Sequence, residues 1–202
     1  HVLTKGSPFT VSKLEEERKL ITEILLDSGY YKFHKDFIKF DADTAVNNTD
    51  VNVTLHLLKF RANNDSPEVP HPRYAIGKIN YSTDTGKLHL TDNILNNATV
   101  IKEGKRYSYS DLEETYRNFG RLSAVRYTSI QFREVPNTSN LDCEIQLNTN
   151  NPSTIAIQPE GTNTAGDLGA AISLTYQNRN LFHGPELFSA EVRGAFEAIT
   201  GL

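Results

Sequence analysis

Gly104-Lys-Arg-Tyr-Ser-Tyr-Ser-Asp-Leu-Glu-Glu114 decides the fold, because Gly6-Ser-Pro-Phe-Thr-Val-Ser-Lys-Leu-Glu-Glu16 matches it upstream without a gap. Gly6 pairs with Gly104, Phe9 with Tyr107, Ser12 with Ser110 and Leu14 with Leu112. Farther on, Ile38 and Phe40 correspond to Ile130 and Phe132, and the alternation Val51, Val53, Leu55, Leu57 corresponds to Leu141, Cys143, Ile145, Leu147. Self-similarity of this kind fixes the unit of folding before any single residue is interpreted. The 202 residues read as two small modules and an appended tail, and each module is small enough to have a thin core.

Within the first copy, Ser12-Lys-Leu-Glu15 is a capping box that predicts a helix start. Leu14, Arg18, Ile21, Ile24 and Leu25 then fall on one helical stripe, and Ser28-Gly29 supplies the stop. The charged run Glu15 to Lys19 reads as a solvated face. Tyr30 to Asp43 has strand character, with a change of apolar phase between Phe33 and Ile38 that a bulge would produce. Val51 to Leu58 alternates strictly, as a strand with one buried face does. Pro67, Pro70 and Pro72 stiffen a connector over 61–73. The second copy adds a strand over 74–82 and a short helix over 92–98 before a second capping box, Ser110-Asp-Leu-Glu113. A helix with Leu112, Tyr116, Phe119 and Leu122 inward and a hairpin over 125–148 complete it, in the order strand, helix, helix, strand, strand.

After Asn151 the pattern changes. Leu168, Ala170, Ile172, Leu174 and Tyr176 alternate with small or polar residues, as do Phe188, Ala190, Val192, Gly194, Phe196 and Ala198. Both runs have the length of a tilted membrane-spanning strand, and Ser153 to Gly161 forms a shorter run before them. Three strands cannot close a barrel, which needs about eight. Unpaired apolar strands of this kind are expected to swap, pair between chains or add to a neighbouring sheet.

The formal net charge of −4 provides no basic field for nucleic acid. One Cys builds no disulfide framework, and Cys143 takes the inward position that Val53 holds in the other copy. The chain opens on His1 with no initiator Met and reads as an excerpt of a larger protein. No catalytic constellation, cofactor loop or metal-ligand spacing stands out among the six His and one Cys, which argues against an enzyme; His34 and His56 read as solvent-facing strand residues.

Taken together, these residues resemble polypeptide-transport-associated (POTRA) domains followed by the start of an outer-membrane barrel, as in BamA/TamA-type outer-membrane assembly factors. Leu14-Glu-Glu-Glu-Arg18 leading to Ser28-Gly29-Tyr30-Tyr31 is similar to the family's second helix ending in Gly-Tyr. Tyr176-Gln-Asn-Arg-Asn-Leu-Phe182, followed by Gly184, is similar to the turn near its first barrel strands. The Asn-rich, Leu-Asp-Cys-containing version is similar to the Bacteroidetes surface-antigen branch. The second copy departs from the pattern, with Arg121-Leu122-Ser123 where Gly-Tyr would stand.

The resemblance implies an α+β fold of tandem POTRA domains: a truncated one over 1–60, a linker over 61–73, a complete one over 74–150, and barrel strands over 151–202. It implies no cofactor and an outer-membrane location with this segment mostly periplasmic. Its implied partners are unfolded outer-membrane proteins, accessory lipoproteins and the lipid bilayer. The second strand of each domain would be the client-binding edge, which places Phe33, Lys35, Phe37 and Lys39 in one and Tyr127, Ser129, Gln131 and Arg133 in the other. An exposed edge accepts an extended client through main-chain hydrogen bonds. Lys35, Lys39, Arg126 and Arg133 alternatively guard the edge against aggregation. Ile155, Ile157, Tyr176, Asn180, Leu181, Phe182 and Gly184 mark the barrel start. Assembly of barrel clients is the expected function, with translocation of one dedicated partner or a barrel-anchored adhesin as alternatives.

Overall fold

The computed structural model describes residues 3–47, 50–63, 65–84, 90–149, 153–164, 167–179 and 187–198. Helix α1 (Val11–Asp27) is followed by a 3₁₀ turn (Lys35–Phe37) and strands β1 (Ile38–Asn47) and β2 (Asp50–Leu57). Then come β3 (Ala75–Ser82), α2 (Asp92–Ala98), α3 (Tyr109–Gly120), β4 (Val125–Glu134) and β5 (Asn140–Thr149). The tail forms β6 (Ser153–Thr164), β7 (Asp167–Asn178) and β8 (Phe188–Ala198). Among the described residues the strands form three sheets, with orders β1-β2, β3-β5-β4 and β6-β7-β8. The chain is α+β, with the strand, helix, helix, strand, strand order of the second copy as expected.

The repeat is visible in the backbone. Gly6 and Gly104 both take left-handed dihedrals, with φ of 82° and 73°. Thr10 then caps α1, its Oγ1 accepting from Lys13 N–H at 3.3 Å, and Ser108 Oγ accepts from Asp111 N–H at 3.2 Å at the start of α3. Both caps lie two residues ahead of the predicted capping boxes. Ser12 and Ser110 already have helical backbone, and a hydroxyl satisfies the N–H three residues on only from the non-helical cap position. Two turns farther, Glu17 Oε2 accepts from Leu3 N–H at 3.1 Å, while Thr115 Oγ1 accepts from Val100 and Ile101 N–H at 3.0 and 3.4 Å. Equivalent positions thus anchor the equivalent segments that lead into the two helices. Glu17 is therefore buried, and the run Glu15 to Lys19 is not uniformly solvated.

Helix α1 stops as predicted. Gly29 has φ of 94°, its N–H donates to Leu26 C=O and the Tyr30 N–H to Leu25 C=O, each at 3.2 Å. That pair of bonds is the Schellman closure, which a residue with a Cβ resists. Beyond it the expected bulged strand is absent. The Phe33 N–H bonds to Tyr30 C=O at 2.8 Å, His34 caps the 3₁₀ turn, and β1 begins only at Ile38. The change of apolar phase marks this turn, and His34 is a turn residue rather than a strand residue. His56 does lie on β2, exposed, 2.9 Å from Asp41. The connector over 61–73 closes on itself through paired bonds between Phe60 and Val69, both 2.9 Å.

Two compact units emerge. The first comprises residues 1–80, 100–115 and 131–144. In it the Tyr31 ring lies 5.1 to 5.8 Å from those of Tyr107, Phe132 and Tyr74, and Asp27 accepts from Ser108 Oγ at 3.0 Å and from Ser110 N–H and Oγ at 2.7 Å each. Lys32 pairs with Glu134 at 2.8 Å. The second unit comprises residues 81–99, 116–130 and 145–202. Leu95, Phe119, Ile130, Ile145 and Leu147 are buried in it.

Candidate functional site

Two features of the molecule are open to a partner: an exposed sheet edge and an inverted sheet. The edge is β4, the outer strand of β3-β5-β4. Tyr127, Gln131 and Arg133 on it are exposed and Ser129 is half-buried, while Ile130 faces the core. Arg133 lies 3.8 Å from Glu144 of β5. Across the strand, the Ile130 N–H donates to the Tyr116 hydroxyl at 2.9 Å, and that hydroxyl donates to Ile130 C=O at 3.3 Å. Helical spacing places Tyr116 on the inward stripe, yet it is 38% exposed. The signal that could have separated it from Phe119 is its hydroxyl, which needs a partner when the ring is packed.

The corresponding region of the first copy is assembled differently. Phe33 is buried, and Lys35 and Phe37 belong to the 3₁₀ turn, so of the four residues named there only Lys39 sits on a strand, where it is exposed and opposite His56. Phe33 and Phe37 instead stack around His71, with ring centroids 4.9 and 4.5 Å away. Its Nε2 donates to Leu58 C=O at 2.9 Å; because a carbonyl only accepts, the proton of a neutral ring resides on Nε2.

The inverted sheet is β6-β7-β8, a continuous antiparallel meander. Among the described residues it pairs within itself and is not added to either of the other two sheets. Register places Ile155 beside Tyr176, Ile157 beside Leu174, and Leu174 beside Val192. These residues share one face, and it is the open one: Ile155 is 68% exposed, Val192 71% and Phe196 72%. The opposite face carries Ala171 and Ser173, 6% and 2% exposed. Arg193 of β8 reaches Glu160 of β6 at 2.6 Å across this second face; on β7 Ser173 stands opposite Arg193 and Ala171 opposite Glu160. Large apolar side chains on one face and small or charged ones on the other is the arrangement of a barrel strand with a lipid-facing side. Asn180, Leu181, Phe182 and Gly184 lie outside the described residues.

Among the described residues no group of three or more His, Cys, Asp and Glu could hold a metal ion, and no helix is long and apolar enough to cross a membrane. Burial pushes the Cys143 thiol up to about 12, so it stays protonated and packs as a small apolar group.

Fold and exposed surfaces define a class: α+β domains of the POTRA type followed by antiparallel strands like those of an outer-membrane barrel. Among solved structures, BamA from Haemophilus ducreyi lacking POTRA domains 1-3 is similar with a TM-score of 0.56 and 14% identity, over 96% of this chain and 38% of that one. The chain therefore spans well under half of that structure. Haemophilus influenzae BamA POTRA3-5 gives 0.48 at 15% identity over 73% of this chain and 52% of that one. CdiB from Acinetobacter baumannii gives 0.46 at 14% over 94% and 31%. At 14% identity the likeness to the Haemophilus ducreyi structure is one of fold. No family model and no curated protein matches the chain.

Proposed function

We propose that the chain is the periplasmic and membrane-entry portion of an outer-membrane protein assembly or secretion factor of the BamA type, and that it assembles barrel clients. The observation that carries this reading is the inverted meander, whose apolar belt belongs against lipid while Arg193 and Glu160 stay on the other face. In this reading 1–60 and 74–150 are POTRA domains, 61–73 is their linker, and 151–202 begins the barrel. Unfolded outer-membrane proteins pair in extended form along β4, beside Tyr127, Ser129, Gln131 and Arg133, and pass to the barrel. Main-chain pairing suits clients of many sequences because it asks for no particular side chain. Accessory lipoproteins and assignment to the Bacteroidetes surface-antigen branch are finer parts of the proposal that rest on the sequence resemblance.

The test places a photoreactive amino acid at Tyr127 or Gln131 of the full chain in detergent. Strand peptides from several unrelated outer-membrane barrels are expected to crosslink there with similar yields. Crosslinking of one dedicated exported protein and of no barrel peptide would replace assembly with translocation. Crosslinking of neither would leave an adhesin with a barrel anchor as the better account.

A further inference from the structure

Strand β4 is not a uniformly open edge. In a two-strand antiparallel pairing each residue points both its N–H and its C=O to the same side, and successive residues alternate between the partner strand and the free edge. The Val135 N–H bonds to Asn140 C=O at 3.0 Å, which places β4 and β5 in a hairpin. An N–H has one proton, so the Ile130 N–H that meets the Tyr116 hydroxyl is not spent on β5. Ile130 is thus an outward-turned peptide group, and alternation turns Thr128 and Phe132 the same way. Tyr127, Ser129, Gln131 and Arg133 direct their backbone toward β5 and offer an incoming strand their side chains alone.

The hydroxyl of Tyr116 does at Ile130 what a strand would do. It accepts the N–H and returns a proton to the C=O, at 2.9 and 3.3 Å, closing both outward groups of that residue at once. A client strand seeking continuous pairing along β4 meets the middle of its five outward positions, Arg126 to Glu134, already taken. The Tyr116 ring, more than a third exposed, has room to swing aside.

We propose that Tyr116 is an edge latch: its hydroxyl occupies the Ile130 peptide groups and must be displaced before a strand can pair across the centre of β4. This rests on the client-capture reading above for the identity of the displacing strand. The latch keeps idle β4 from pairing with another chain and sets a threshold that short or weakly pairing segments fail to cross.

Tyr116→Phe in the full chain removes the oxygen and keeps the ring. One net hydrogen bond of competition predicts about 2- to 10-fold tighter binding of barrel-strand peptides to Tyr116→Phe. Faster hydrogen exchange at the Ile130 amide, with Phe119 and Ile145 amides unchanged, is expected alongside. If peptides bind both proteins with equal affinity, or bind the variant more weakly, the latch is overturned while capture stands. If no peptide binds either protein, the capture reading fails, and the latch is then judged without clients. Greater self-association of Tyr116→Phe with faster Ile130 exchange supports it, and unchanged exchange sinks it.

Discussion

Strands β2 and β5 carry the same alternation and meet opposite fates. Cys143, Ile145 and Leu147 of β5 are 0% exposed, while Val53, Leu55 and Leu57 of β2 are 36%, 42% and 50% exposed. Their sequences do not explain this, since β2 is if anything the more apolar. Position in the sheet does: β5 is central between β3 and β4, whereas β2 is half of a two-stranded sheet. Period-two patterning tells which side chains share a face, and coverage of that face is set by how many elements surround the strand.

The largest effect that tests this contrast is the insertion of a charge. Cys143→Asp buries an unpaired carboxylate and is expected to destabilise by about 3–5 kcal/mol or unfold the second copy outright, as chemical denaturation would register. Val53→Asp, with water within reach, should cost a fraction of that; equal losses would mean that β2 is covered in solution. Next in size, Leu147→Ala should cost about 2–5 kcal/mol and Leu57→Ala about 1 kcal/mol. A smaller pair probes the shared feature: Thr10→Ala and Ser108→Ala should each cost about 1 kcal/mol in melting experiments, whereas Ser12→Ala should stay within about 0.5 kcal/mol.

The smallest effect depends on pH. Burial pushes the Asp27 carboxyl up, but hydrogen bonds from Ser110, Ser108 and the Tyr109 backbone win and hold it below the ordinary Asp range. Glu134 is likewise lowered, chiefly by its bond with Lys32. Neighbouring Asp111 moves the other way, raised by burial and then by the Asp27 charge. A lowered folded value means the stabilisation is fully present above the unfolded pKa and is lost as pH falls through the folded one. The melting-temperature advantage of wild type over Asp27→Asn should therefore be flat above about pH 5 and shrink below it. An advantage that grows on acidification would refute the assignment.

Much of the architecture was legible because it repeats. The match of Gly6 to Gly104 pairs two glycines that share a left-handed backbone, and α2 begins and ends where Asp92 and Ala98 suggested. Cap positions slipped by two because Thr10-Val-Ser12 and Ser108-Tyr-Ser110 each offer two hydroxyls, and spacing to the next Glu favours the wrong one. The 3₁₀ turn at Lys35 was hidden by aromatic residues that look strand-like, although Phe33 and Phe37 serve the His71 cluster. Glu17 was unreadable as a buried residue because its partner is a backbone N–H fourteen positions away, and backbone donors leave no mark on composition. At the candidate edge, β4 itself was found from alternation, but the roles of Ile130 and Tyr116 were not, since they depend on which way a peptide group points.

The pairing of Arg193 with Glu160 across β7 bears on how the meander is put together. A slip of β8 by one residue would turn Arg193 onto the face of Val192 and Phe196, leaving a cation among apolar side chains. A slip of two keeps the faces but moves the guanidinium by about 6.6–6.8 Å, beyond reach of the carboxylate. Each misalignment is thus penalised by a different force, desolvation in one case and lost attraction in the other. One ion pair in this way checks three strands for correct threading.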